Sequence, residues 1–98
     1  MYSLDDLLQL VTSDQADELR LHVGAPPVVV LDGQHQTVEG PALTAEDTEA
    51  LWLSVATTRQ RRELWEQGAV QFIYHFRAST DFVVSAKLEN RNIGIDLR

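Results

Sequence analysis

Histidines and carboxylates are the side chains of this sequence that could carry metal or acid–base chemistry. His22, His35 and His75 show neither the i, i+4 spacing nor the H-x-H spacing of metal ligands. A metal site needs at least three convergent ligands, and the chain has no cysteine that could add a thiolate. The pattern therefore predicts no metal and no cofactor. His22 and His75 are expected on strand faces opposite the main apolar residues, as surface or interface histidines.

The acidic residues concentrate where helix caps and exposed helix faces are expected, namely at Asp5 and Asp6, at residues 46–49 and at Glu63 and Glu66. General acid–base catalysis needs two groups in one cleft with different environments, which this pattern does not provide. The sequence contains neither a G-x-S-x-G nucleophile motif nor the G-x-x-x-x-G-K-[ST] phosphate loop. We therefore predict that these residues are not an enzyme and neither bind ATP tightly nor hydrolyse it.

Composition limits the class of protein and its partners. A length of 98 residues with 44% hydrophobic content fits a single domain over residues 1–98, without disorder or membrane insertion. The net charge of −7 argues against nucleic-acid binding. The start of the chain lacks the basic segment of a signal peptide, so a cytoplasmic location is expected. The basic cluster of the sequence consists of Arg59, Arg61 and Arg62. We interpret it as a solvated helix face or, alternatively, as a docking patch for an acidic partner.

Three predicted helices must position any functional residues. Ser3 is a suitable N-cap for a first helix ending near Ser13, with apolar residues at i, i+3, i+4 and i+7. Capping boxes at Thr44 and Thr57 predict a second helix over residues 45–56 and a third that ends at Gly68. Because the domain is acidic and strands flank this helix pair, we do not interpret it as a DNA-binding motif.

The strands fall into two groups. Residues 19–23 alternate, Gly24-Ala25-Pro26-Pro27 forms a turn, and residues 28–31 read as a strand covered on both faces. Asp32-Gly33 predicts a hairpin to a short third strand over residues 34–38. A meander follows, with turns at residues 78–81 and 90–92. The order predicts an α+β domain with helices on a mostly antiparallel sheet.

The central stretch carries a resemblance to a known family. The N-terminal domain of PilT/GspE-type ATPases, which drive type IV pilus retraction (twitching motility), pilus assembly and type II secretion, usually reads A-S-D-x-H-[LI]-x-x-G-x-P-P-x-x-R-x-x-G there. This sequence resembles that pattern, with Glu18, Arg20 and Val30 in place of the family's aspartate, histidine and arginine. The matching residues are Ala16, Leu21, Gly24, Pro26, Pro27 and Gly33.

The resemblance implies a PAS-like fold with helices packed on one face of the sheet. It also implies a non-catalytic protein-interaction or regulatory domain, because the family holds its phosphate loop in a second, C-terminal domain. This chain ends about where the family's linker to that domain begins, so at most it is the N-terminal part of an ATPase. The implied partner is a motor ATPase domain or another pilus or secretion component.

The resemblance further points to a candidate interface. In the family, arginines on the last strands of this domain reach the neighbouring subunit's nucleotide. Here Val83 replaces the first of them, and Arg91 falls near the second, although a solvated turn explains Arg91 equally well. Loss of the guanidinium removes a donor fork suited to phosphate, so this face is expected to make protein contacts instead. The expected interface residues are Arg20, Val83, Lys87 and Arg91.

Two further expectations concern ligands and association. A small-molecule sensor is the alternative function, because PAS-like sheets often hold ligands beneath their helices. Its cavity would be lined by Trp52, Trp65, Phe72, Tyr74 and Phe76, although these aromatics could simply fill the core. We expect a monomer or weak dimer, with any self-association through the face that bears Val83 or through the outer sheet edge.

Overall fold

A computed structural model of the protein describes residues 2–98. The described part of the chain forms three helices and six strands, in the order α1 (Leu4–Ser13), β1 (Glu18–Leu21), β2 (Val28–Leu31), β3 (Gln34–Thr37), α2 (Ala45–Val55), α3 (Thr58–Gln67), β4 (Ala69–Arg77), β5 (Thr80–Glu89) and β6 (Asn92–Leu97). The prediction of an α+β domain is confirmed.

The six strands form one antiparallel sheet in the order β3-β2-β1-β6-β5-β4. The first hairpin therefore joins the meander through β1 and β6, where Leu19 lies opposite Leu97 and Leu21 opposite Ile95. This arrangement places the first and last strands of the domain at the centre of the sheet. The edges are β3 and β4.

All three helices pack on the same side of the sheet. The buried apolar residues of α1, α2 and α3 share one core cluster with strand residues such as Leu19, Val84 and Ile95. In an antiparallel sheet, residues opposite each other on neighbouring strands point to the same face. The face bearing Leu19, Leu97 and Val84 is therefore the covered one. We call the other side of the sheet the outer face.

Local sequence accounts for the helix boundaries. The Ser3 hydroxyl accepts from the backbone N–H of Asp6 at the start of α1. Helices α2 and α3 each begin with a reciprocal capping box. Thr44 and the N3 residue of α2 form the first box, and Thr57 and the N3 residue of α3 form the second. Gly68 ends α3 in the left-handed conformation with φ of 79°, which glycine adopts without steric cost.

Several predicted boundaries need correction. β1 ends at Leu21, and Val23 lies in the following turn with 36% of its surface exposed. The turn predicted over residues 78–81 is tighter, because Thr80 already pairs with Arg77 and begins β5. By contrast, the prediction that both faces of strand β2 are covered agrees with its burial, because Val29 on the helix side is 5% exposed and Val30 on the outer face is 8% exposed.

Candidate protein-interaction face

The outer face brings three of the four predicted interface residues onto one surface. Arg20 on β1 lies opposite Asp96 on β6, which in turn lies opposite Ser85 on β5. Val83 and Lys87 are two residues to either side of Ser85, so alternation along β5 places them on the same face. The register of the central strands therefore joins Arg20, Val83 and Lys87.

Arg91 lies at the end of this surface rather than on it. It occupies the two-residue turn between β5 and β6, where Asn90 and Arg91 both have positive φ, at 50° and 72°. Two central residues in this conformation are typical of a type I′ hairpin turn. The backbone conformation of Arg91 thus fits the interpretation as a turn residue, and its exposed side chain extends from the end of the outer face.

The Arg20 guanidinium is held by its neighbour on the same strand face. Its Nε and Nη2 atoms donate to Glu18 Oε2 at 3.3 and 3.2 Å. Arg98 also approaches this carboxylate, with its Nε 3.8 Å from Glu18 Oε1. Glu18 is thereby largely shielded, with 14% of its side chain exposed, whereas the two arginines remain at 41% and 64%. The outer face therefore presents a hydrogen-bonded Arg20–Glu18 pair with the exposed guanidinium of Arg98 beside it.

Val83 and Ile73 form the apolar part of the outer face. They lie directly opposite each other on β5 and β4, and their exposed fractions are 36% and 59%. An exposed pair of β-branched residues on an otherwise polar surface fits a partner contact of moderate size better than an obligate interface. The outer face thus combines polar and apolar residues, with Ile73 on the edge strand β4 and Val83 on the neighbouring strand β5.

A histidine flanked by two carboxylates lies at one end of strands β1, β6 and β5, and the sequence did not indicate it. His22 Nε2 is 2.8 Å from Asp96 Oδ1, and His22 Nδ1 is 3.0 Å from Glu89 Oε1. The side chain of His22 is 38% exposed, as expected for a surface histidine, but it is engaged on both ring nitrogens. This cluster borders an open hollow of about 150 Å³ beside the β5–β6 turn.

Gly94 was the one signal in the sequence that could have located this cluster. A glycine within a strand often marks a close approach of another group to the backbone. A Cβ atom at Gly94 would collide with the Glu89 carboxylate and the His22 ring. The missing side chain therefore makes the space in which the histidine lies between its two partners.

The histidines and carboxylates do not converge as a metal site. Within residues 2–98, no group of three or more His, Cys, Asp and Glu side chains has the geometry to hold a metal ion. His75 instead contacts Asp81 on the neighbouring strand, with Nδ1 2.7 Å from Oδ1. None of the helices in the described range is long and apolar enough to span a membrane.

The aromatic residues proposed to line a ligand cavity divide between core and surface. Trp52 is 1% exposed and packs against Phe72 with ring centroids 5.9 Å apart. Trp65, in contrast, is 65% exposed on α3, so its expected place beneath the helices is wrong. The reason is that α3 buries only Leu64 against the sheet. The described residues form three surface hollows, and none of these five aromatic side chains lines any of the three.

Comparison with known proteins confirms the resemblance noted in the sequence. No family model matches the chain. The chain is 26% identical over 95 residues to the type IV pilus retraction ATPase PilT of Pseudomonas aeruginosa, and 29% identical over 94 residues to the type IV pilus ATPase PilU of the same organism. These alignments cover 97% and 96% of the chain but only 28% and 25% of the relatives. The chain thus spans about a quarter of the curated relatives it matches.

Solved structures agree with the sequence comparison. A crystal structure of the pilus retraction motor PilT with bound ADP matches 100% of this chain and 29% of its own, with a TM-score of 0.90 and 28% identity. The Legionella pneumophila ATPase DotB matches 97% of this chain and 27% of its own, with a TM-score of 0.80 and 21% identity, which shows the shared fold. The chain is therefore related to the N-terminal domain of PilT-type ATPases.

Proposed function

We propose that this chain is a non-catalytic protein-interaction domain that docks on a motor ATPase domain through the outer face of its sheet. The observation that carries the proposal is the match of the whole chain to part of the retraction motor PilT, with a TM-score of 0.90. A domain of such a motor transmits force or regulation through contacts with other domains. The surface available for such a contact is the sheet face that the helices leave open.

The chemistry of the described residues supports a binding role over a catalytic one. The sequence has no phosphate-binding loop. His22, the one imidazole between two carboxylates, has both ring nitrogens occupied by Asp96 and Glu89. It therefore links strands and offers no free nitrogen to a substrate. Calorimetric titration of the chain with ATP is expected to show no micromolar binding, and micromolar binding with phosphate release would overturn the non-catalytic proposal.

Charge distribution supports the outer face as the docking surface. The chain carries 8 Lys and Arg residues against 15 Asp and Glu. Half of those cations, namely Arg20, Lys87, Arg91 and Arg98, lie on the outer face or at its end. Because Glu18, Asp81, Glu89 and Asp96 lie on the same face, that face is close to neutral in a chain of net charge −7, so an acidic partner meets less repulsion there than on the rest of the domain. Ile73 and Val83 supply the apolar contact within this charged rim.

The relatives indicate the process to which such docking would belong. PilT is named as a pilus retraction ATPase and PilU as a type IV pilus ATPase. We infer that this domain serves a motor of the same class, in twitching motility or a related secretion system, on the cytoplasmic side of the membrane. Its partner is then an ATPase domain of the PilT type, and its role is to position or regulate that domain.

Binding measurements with matched variants test this proposal. The ATPase domain of a PilT-type motor from the same organism is titrated with the full chain, and Val83→Glu is compared with Leu53→Glu. Leu53 is a suitable control because it is 46% exposed on α2, on the helix side of the sheet, whereas Val83 is 36% exposed on the outer face.

We expect Val83→Glu to weaken binding about tenfold or more, because it places an unpaired carboxylate in a desolvated contact. Leu53→Glu should bind like the unmodified chain. Circular dichroism confirms that both variants are folded. Equal affinity of Val83→Glu and the unmodified chain, or selective loss with Leu53→Glu, would exclude the outer face as the docking surface.

A further inference from the structure

The two edges of the sheet differ in how they are protected against pairing with another strand. Edge β3 has four residues, QHQT, all polar and exposed. Edge β4 has nine residues, AVQFIYHFR, without proline, lysine or any carboxylate, in a chain that has 15 acidic residues. Short strands and charged or proline residues are the usual devices that keep an edge from pairing. Strand β4 carries none of these along Ala69–Tyr74, and its pairing with β5 becomes irregular only between His75 and Arg77.

Hydrogen bonds elsewhere in the meander show which groups of β4 face the open edge. Gly68 accepts from the Leu88 N–H at 3.0 Å, so this pair is hydrogen-bonded. Val83 exchanges both of its backbone hydrogen bonds with Arg98, at 2.8 and 3.0 Å, and so directs none towards Ile73 opposite. Bonded and non-bonded pairs alternate in an antiparallel ladder. Ile73 and its alternate neighbours Gln71 and His75 therefore direct their N–H and C=O groups away from β5.

We propose that this edge pairs with β4 of a second copy of the chain, antiparallel and with the two-fold axis at Ile73. Ile73 is the middle residue of the nine, and its free N–H and C=O would bond to the same groups of its counterpart. Gln71 would then lie opposite His75 of the second copy, and Phe72 opposite Tyr74. No like charges oppose each other in this register.

The side chains favour this register on both faces of the joined sheet. Phe72, Tyr74 and Phe76 pack against the core but remain partly exposed at the edge. Aromatic pairs across strands are among the more stabilising, and the second copy would cover the open sides of these rings. On the outer face, Ile73 is 59% exposed and would contact its own counterpart. The strand is thus self-complementary in hydrogen bonding and in shape.

Net charge determines how strong this association can be. Each copy carries a charge of −7, so two copies repel each other at long range. Added salt screens that repulsion, whereas the backbone hydrogen bonds and aromatic contacts depend on it much less. The dimer is therefore weak at low ionic strength and strengthens as salt is added.

Sedimentation of the full chain and two variants at one position tests the pairing. Gln71→Pro removes one outward N–H per copy without touching the β4–β5 ladder, because proline is tolerated on an edge where its nitrogen faces solvent. Gln71→Thr is the matched control, since it keeps the N–H in a residue that favours strands. We expect the unmodified chain and Gln71→Thr to dimerise more strongly with salt, and Gln71→Pro to lose about tenfold or more in dimer affinity.

Hydrogen exchange provides a second measurement that needs no variant. The amides of Gln71, Ile73 and His75 should become protected as protein concentration rises, while that of Phe72, bonded within the sheet, is protected at all concentrations. A chain that stays monomeric at millimolar concentration and high salt would overturn the pairing. So would a dimer that is indifferent to Gln71→Pro but abolished by Val83→Glu, because it would use the outer face. Neither result depends on whether a motor ATPase domain binds the chain.

Discussion

The Nε2 atom of His22 lies 2.8 Å from Oδ1 of Asp96, which ties the end of β1 to the last strand. The other ring nitrogen is 3.0 Å from Glu89, so one imidazole links the three interior strands β1, β6 and β5 at one end of the sheet. A doubly protonated ring donates to both carboxylates, whereas a neutral ring donates to one. The contact fixes the segment that leads from β1 into the turn at Gly24–Pro27.

Removing this imidazole should weaken the domain slightly. We expect His22→Ala to lower the free energy of unfolding by about 0.5–1 kcal/mol, because the contacts are partly exposed and screened by solvent. Urea unfolding measures the change. His35→Ala is the control, since His35 is exposed on β3 and should leave stability unchanged. Equal unfolding midpoints for His22→Ala and the unmodified chain would show that the contacts of His22 with Asp96 and Glu89 do not stabilise the fold.

Gly94→Ala should act through the same His22 cluster. The added Cβ would displace the Glu89 carboxylate and the His22 ring, and we expect a cost of about 1 kcal/mol from the lost contacts and crowding. Because the ring is one of the groups displaced, the substitution should cost less in a His22→Ala background. A double-mutant cycle by urea unfolding measures this coupling. Strictly additive costs would contradict the close approach of His22 to Gly94.

The capping box of α2 predicts a pH dependence. The Thr44 backbone N–H donates to Asp47 at 2.9 Å and lowers the pKa of that carboxyl below its ordinary value, with the Thr44 hydroxyl adding to the effect. Since the pKa is lower in the folded state, the stabilisation is present above the unfolded-state pKa and is lost as pH falls through the folded-state pKa. Asp47→Asn should therefore be less stable than the unmodified chain at neutral pH, with the difference shrinking in acid.

Urea unfolding over a range of pH checks this dependence. Asp5→Asn is a control for general charge effects, because Asp5 also lies in the first turn of a helix but is not part of a capping box. A difference between Asp47→Asn and the unmodified chain that stays constant into strong acid would contradict the role assigned to the carboxylate.

The two tryptophans should respond very differently to truncation. Trp52 is 1% exposed and packs on Phe72, so Trp52→Ala is expected to cost about 3–5 kcal/mol. Trp65 is 65% exposed, and Trp65→Ala should change stability by less than about 0.5 kcal/mol. Fluorescence offers an independent check, because Trp65→Phe leaves Trp52 as the sole tryptophan and its emission should indicate an apolar environment. Similar costs for both truncations would contradict the placement of α3.

Much of the fold follows from local signals in the sequence. Ser3, Thr44 and Thr57 locate the helix starts because a side-chain oxygen there satisfies a free N–H. Asp32 and Gly33 locate the hairpin between β2 and β3, and both have positive φ, at 50° and 79°. Such signals depend on neighbours within a few residues, so they can be recognised in the sequence without knowledge of the tertiary structure.

The parts that could not be predicted depend on contacts between distant residues. His22 and Asp96 are far apart in the chain, and only the pairing of β1 with β6 brings them together. Trp65 looked like a core residue from its type alone, but α3 buries only Leu64 against the sheet and leaves Trp65 exposed. The register of β1, β6 and β5 likewise places the expected interface residues Arg20, Val83 and Lys87 on one face. Their role as an interface stays a prediction.

Amide chemical-shift mapping tests the central claim most directly. The labelled chain is titrated with the unlabelled ATPase domain of a PilT-type motor, and perturbed amides are placed on the fold. We predict that the changes centre on the outer-face positions Arg20, Val83 and Lys87 and extend to the turn at Arg91. Perturbations confined to the helix layer around Trp65, or none at saturating partner, would contradict the proposal that the outer face docks on the motor.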